Sequence, residues 1–191
     1  MKKIVSVLVV LLLAFAIIGC SSGSKTIKQR TVPGNFPEFV KNAILNAPED
    51  VLVGVGNAKL ASLSQSRTIS TNRARAEISR QMETIVQDMI RDYQASSEVD
   101  PQAALSFQEN MTVSLSKATL SGSTVVDQDM DNDGQVWTVV FLGKQSLAQE
   151  INQAQAAARL AVPAMASFNA EERMNAAFDR VNNQAVQVGN Y

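Results

Sequence analysis

Residues 65–94, QSRTISTNRARAEISRQMETIVQDMIRDYQ, contain no glycine or proline and carry the longest helical pattern of the chain. Ala74, Ile78, Met82 or Gln81, Ile85, Met89 and Tyr93 recur at intervals of three and four, while Arg75, Glu77, Arg80, Glu83, Gln87 and Arg91 fall elsewhere. That period puts the apolar residues on one stripe of an α-helix and the charges off it. So long a stripe needs a broad partner, and the β-rich runs on either side predict that the helix lies across a sheet. Arg67, Arg73 and Arg75 stand near its start, against the macrodipole, where acids are preferred. They read as a solvated polar face; the functional alternative is a basic patch for a lipid headgroup or an acidic partner.

Upstream, Val51-Leu52-Val53-Gly54-Val55-Gly56-Asn57-Ala58 is a β-branched run entered from Pro48-Glu49-Asp50, which predicts a buried strand. Its Gly-x-Gly is not a dinucleotide fingerprint, because position 59 is lysine and no helix opens at once. The two glycines are better explained by another backbone passing close to the strand. Before it, Pro33-Gly34 and Pro37 form a loop closing on Phe36, Phe39 and Val40, and Glu38 to Leu45 predicts a short helix.

Downstream, Asp100-Pro101 is an N-cap with proline at the first helical position. Ala104, Phe107, Met111, Leu115 and Ala118 continue a stripe, although Met111, Val113 and Leu115 also alternate; cap and length favour helix to about Ala118. Thr124-Val125-Val126, the polar run Asp127 to Gly134 and then Val136 to Leu142 predict a hairpin whose second strand, apolar on both faces, is central. Within it Asp129-x-Asp131-x-Asp133-Gly134 matches the first half of a calcium loop. Position twelve would be Val140 instead of glutamate, and strands replace the flanking helices, so a polar turn is the simpler reading and calcium binding would be weak. From Ser146 the pattern is helical again. Leu147, Ile151, Ala154, Ala158 and Ala161 make one stripe, stopped by Pro163, and Met174, Phe178, Val181 and Ala185 make another after a cap region at Ser167 to Asn169. These alanine-rich stripes should pack on the domain, on each other or on a second copy. No structure is assigned to Val188 to Tyr191.

Composition narrows the chemistry. Histidine is absent and Cys20 is the sole cysteine, which removes Ser-His and Cys-His nucleophiles and His-ligated metal sites. Ser114-x-x-Lys117 resembles the motif of penicillin-interacting acyltransferases but lacks the companion motifs. Acid pairs such as Glu49 with Asp50, or Glu171 with Glu172, are adjacent in sequence and would not face one cleft. The formal charge of −1 is spread rather than blocked, so nucleic acid is not an expected partner. No cofactor is implied, and the protein is read as non-enzymatic.

The first residues set the address. Lys2 and Lys3 precede an apolar run, Ile4 to Ile18, broken only by Ser6 and too short to span a bilayer, and then comes Ile17-Ile18-Gly19-Cys20. This pattern resembles the bacterial lipobox. The resemblance implies that residues 1–19 are a signal removed before Cys20, which then carries thioether-linked lipid and an amine acylated by a fatty acid such as palmitate; two or more acyl chains anchor stably. Ser21, in place of an inner-membrane-retaining aspartate, implies the outer membrane. Residues 20–35 read as a lipidated tether, with Ser21 to Arg30 polar and without periodicity.

PEFVKNAILNAPEDVLVGVGNAK, the helix ARAEISRQMETIVQDM, then LSGSTVVDQ and GQVWTVVFL together resemble the Lpp-twenty family of bacterial outer-membrane lipoproteins, over roughly Phe36 to Leu142. The resemblance implies a small α+β domain in which an antiparallel sheet of about three strands wraps a long helix. It also implies surface lipoproteins, adhesion-related antigens or parts of disks around flagella, with no catalytic residue to carry over. The C-terminal helices depart from that pattern. The expectations are therefore an α+β domain over 36–144, a helical extension over 145–191, a membrane anchor at Cys20, and envelope proteins or further copies as partners. The alternative is a periplasmic carrier of a lipid or small ligand, with an apolar pocket under the long helix lined by Ile78, Ile85 and Met89.

Overall fold

The structure is a computed structural model that describes residues 30–184 and 188–189, with the side chains of 117–121 and 188–189 outside that description. In order it contains α1 (Glu38–Leu45), β1 (Val51–Ala58), α2 (Leu63–Ser96), α3 (Pro101–Gly122), β2 (Thr124–Met130), β3 (Val136–Gly143), α4 (Lys144–Ala161), a 3-10 turn (Pro163–Met165), α5 (Ala170–Asn182) and β4 (Val188–Gly189). The sheet order is β2-β3-β1-β4. β3 runs antiparallel to both β1 and β2, and β4 adds two residues parallel to β1, pairing Val55 with Val188 and Gly56 with Gly189. The expected α+β arrangement, a three-stranded antiparallel sheet on a long helix with further C-terminal helices, is what the chain forms; the short fourth strand is an addition.

The helix meets the sheet at the two glycines. A Cβ on Gly54 would stand 2.2 Å from the Ala74 carbonyl oxygen, and one on Gly56 would stand 2.2 Å from the Ser70 oxygen and 2.4 Å from the Ala74 nitrogen. Backbone therefore lies against backbone, and small residues at positions 70 and 74 of α2 complete the seam. Each face of the sheet buries one apolar cluster. Leu52, Val140 and Leu142 join Ala74, Ile78, Met82, Ile85 and Met89 of α2. Val51, Val53, Val55, Trp137 and Val139 pack under Val40 and Ile44 of α1 and under Phe36, whose ring is 5.6 Å from that of Trp137. Alternation along β1 and β3 divides residues between the two clusters, so both strands are apolar on both faces except at Asn57 and Thr138.

Several boundaries differ from the sequence reading. Asp100 caps α3 through Ala103 N–H as expected, but the helix continues to Gly122. β2 extends through Asp127, Gln128 and Asp129 to Met130, because an edge strand with one wet face accommodates polar residues; a bulge falls between Val125 and Asp127. The C-terminal helices are no appendage to the core. Leu147, Ile151, Ala154 and Ala158 of α4 and Met174, Phe178 and Val181 of α5 belong to the cluster under α2, while Ala161 is exposed and Ala185 lies outside the described residues. Phe168, between them, meets the rings of Tyr93 at 5.4 Å and Phe107 at 5.1 Å. Arg30, assigned from sequence to the tether, is bound into the fold: its guanidinium donates to the carbonyls of Ala47, Pro48 and Val51 and to Asn182 Oδ1.

Candidate functional site

The hairpin end of the sheet concentrates the unusual residues. Gly134 adopts φ +76°, the left-handed conformation glycine accepts most readily, and the turn closes through Gly134 N–H to Asp131 O and Asp131 N–H to Gln135 O. Asp131 organises this turn. Its Oδ1 accepts the amides of Asp133 at 3.0 Å and Gln135 at 2.9 Å, and its Oδ2 accepts the Trp137 indole N–H at 2.7 Å. Partial burial opposes the charged form, but the bonds from Trp137, Gln135 and Asp133 and the nearby Lys59 outweigh it and hold the carboxyl below its ordinary pKa. Asp129 Oδ1 accepts the Met130 amide at 2.8 Å. Of the weak calcium candidates Asp129, Asp131 and Asp133, the central carboxylate is engaged by three protein donors, as the polar-turn reading has it, and among the described residues no group of three or more His, Cys, Asp or Glu side chains is placed to hold a metal ion.

Beside this turn is an open groove of about 410 Å³, lined on one side by Gly34 to Phe39 and on the other by Met130 to Asp133. Glu38 projects at its rim, with its side chain 79 % exposed. The groove ends at Met130, the last residue of β2, and along that strand Val125, Val126 and Met130 are exposed.

The two edges of the sheet differ. Along β1 the carbonyl of Val51 accepts Arg30, that of Val53 accepts Gln81 Nε2 at 2.9 Å, and that of Asn57 accepts Arg73 at 2.6 Å, while Val55 is paired with β4. Alternate carbonyls on that edge are thus all covered, which blocks further strand pairing. β2 has a polar lock on its inner side: Gln128 Nε2 donates to Thr138 Oγ1 at 2.8 Å and Thr71 Oγ1 at 3.0 Å, and the Thr138 hydroxyl meets that of Ser70 at 2.7 Å.

The other sequence candidates fall into structural roles. Arg73 bonds β1, and Arg75 donates to Ser123 Oγ, so these two arginines hold elements together; Arg67 is exposed. Ser114 donates to the Asn110 carbonyl within α3, and the Lys117 side chain is outside the described residues. Ile78, Ile85 and Met89 are fully buried in the packed cluster under the sheet. Glu77, also buried, is paired with Arg80. Cys20 lies outside the described residues.

Sequence reasoning missed Arg30, Gln81 and Gln128. Nothing in their spacing marks them, since each bonds a partner set by tertiary approach. β4 had a faint mark in the alternation Val186-Gln187-Val188. Among the described residues no helix is long and apolar enough to cross a membrane. Compared with known proteins, the chain matches no protein-family model, no curated relative and no solved structure.

Proposed function

We propose that this protein is a non-catalytic lipoprotein of the bacterial outer membrane that serves as a structural or protein-interaction module of the envelope. The observation that carries the reading is Ile17-Ile18-Gly19-Cys20 behind a short apolar run, which resembles a lipobox. The resemblance of Phe36 to Leu142 to the Lpp-twenty family points the same way. Within the described domain the buried Ser70, Thr138, Glu77 and Gln155 serve the fold, each bonded to a neighbouring side chain or to backbone.

Tethering is the mechanism. Residues 21–29 separate the anchor from Arg30, and at about 3.5 Å per extended residue they reach about 30 Å. A domain confined to that layer meets other envelope components at high effective concentration, so weak surfaces suffice for assembly. The carrier alternative needs Ile78, Ile85 and Met89 to line a cavity, whereas they pack within the apolar cluster, so no observation favours it. Feeding cells an alkyne-bearing palmitate tests the anchor. The wild-type chain takes up the label and fractionates with outer membrane, and Cys20→Ala does neither; a labelled Cys20→Ala chain would contradict the assignment.

A further inference from the structure

We propose that the β2 edge binds an extended, lysine- or arginine-rich segment of a partner protein by strand addition. This rests on the reading of the chain as an interaction module and names its docking surface.

Val125 and Gln128 lie opposite Val140 and Thr138, which in turn lie opposite Gly54 and Gly56. Lys144 N–H bonds Asp50 O, in register with Val51 opposite Gly143, so the even-numbered residues of β1 direct their backbone groups to β3. Alternation then sends the backbone groups of Val140 and Thr138 to β1 and leaves those of Val125 and Gln128 pointing out of the sheet. β1 has its outward carbonyls covered; among the described residues nothing bonds the outward backbone groups of Val125 and Gln128.

The flanking side chains specify the occupant. Asp127 and Asp129 lie on the same side of the sheet as Val139 and Trp137, and among the described residues the Asp127 carboxylate makes no hydrogen bond or ion pair. Val125 and Met130 are 40 % and 52 % exposed, on the opposite side. An added strand would set its side chains beside these rows, so it is complementary with cations on one face and apolar residues on the other. At the end of the edge the groove carries Glu38, which is 4.0 Å from Lys41 Nζ, and Asp133, whose carbonyl accepts Lys59, so the charge selection rests on Asp127 and Asp129. A second copy pairing antiparallel about Asp127 would set carboxylate against carboxylate, which selects for a basic partner instead.

The test uses the full-length protein in detergent micelles and a fluorescent nine-residue peptide with lysine at alternate positions and valine between, against a twin with glutamate for lysine. The lysine peptide binds, the glutamate twin does not, and hydrogen exchange slows at Val125 and Gln128. Val125→Pro removes an outward donor while keeping the β3 ladder, and weakens binding by about tenfold or more. Asp127→Asn weakens it about two- to fivefold, the range of one cross-strand charge pair. Asp127→Asn, on an exposed edge, decides the matter should Val125→Pro fail to fold. Equal binding of the glutamate twin, unchanged binding in Asp127→Asn, or protection confined to another element would overturn the proposal. Should the peptide fail while partners are still captured in cells, the edge assignment falls and the module reading stands.

Discussion

At Gly54 a single methyl group decides whether α2 can lie on β1. The added carbon would meet the Ala74 carbonyl oxygen at 2.2 Å, and neither backbone can move without shifting a whole element. Gly54→Ala and Gly56→Ala should each cost about 3 kcal/mol or more in urea unfolding. Gly143→Ala, at φ −68° with nothing within 4 Å, should change stability by less than about 1 kcal/mol, since the entropy removed from the unfolded chain is offset by a poorer N-cap for α4. This seam was legible, because Gly-x-Gly in a β-branched run has few explanations once the dinucleotide fingerprint fails. The use of Asp131 was not, since its partners are two turn amides and an indole that only the folded hairpin brings together. Its folded pKa is lowered, so its stabilisation is complete above the ordinary carboxylate value of 3.8 and is lost as pH falls through the folded value. Trp137 is the only tryptophan and reports this directly. Its fluorescence should titrate with a midpoint below 3.8, and Asp131→Asn should abolish that step.

Among the elements, those with strong local chemistry were readable and those held by long-range bonds were not. The Asp100-Pro101 cap announced α3, and Asp100→Ala should cost about 1 kcal/mol. β4 is two residues long, below the length at which alternation distinguishes a strand, and the parallel pairing depends on β1 being already in place. The N-terminal boundary was misplaced for a similar reason. Arg30 looks like the end of a polar tether, yet it binds three carbonyls around the start of β1, and Asn182 joins it while donating to the Glu49 carbonyl at 2.7 Å. Arg30→Ala should destabilise the chain by about 1.5–3 kcal/mol, the range for hydrogen bonds from a charged group. Hydrogen exchange should rise first in residues 47–51 and at the end of α5. A uniform rise, or none, would show that the clasp is not what joins these segments.

At the scale of the whole molecule, one apolar cluster runs from the sheet through α2 and α3 into α4 and α5. Arg180 adds bonds from α5 to Asp88 and Asp92 of α2 at 2.9 and 2.8 Å, which raise its pKa. The C-terminal helices and the α+β part should therefore unfold in one transition, and Phe178→Ala should lower its midpoint at a cost of about 3–5 kcal/mol without splitting it. The sequence stripes on α4 and α5 showed which faces are apolar but left open what they cover, because amphipathicity names a face and no partner. Among the described residues the fold leaves β2 as an edge of the sheet, with the groove beside the turn at its end. The central claim, a lipid-held module acting by binding, is tested most directly by chemical cross-linking in intact cells, with recovery and mass spectrometry of wild type beside Cys20→Ala. Capture of defined envelope proteins, or of further copies as a ladder, in wild type and its loss in Cys20→Ala is the predicted result. Identical capture in both strains, or no capture together with a lipid or small molecule retained by the purified protein, would contradict it.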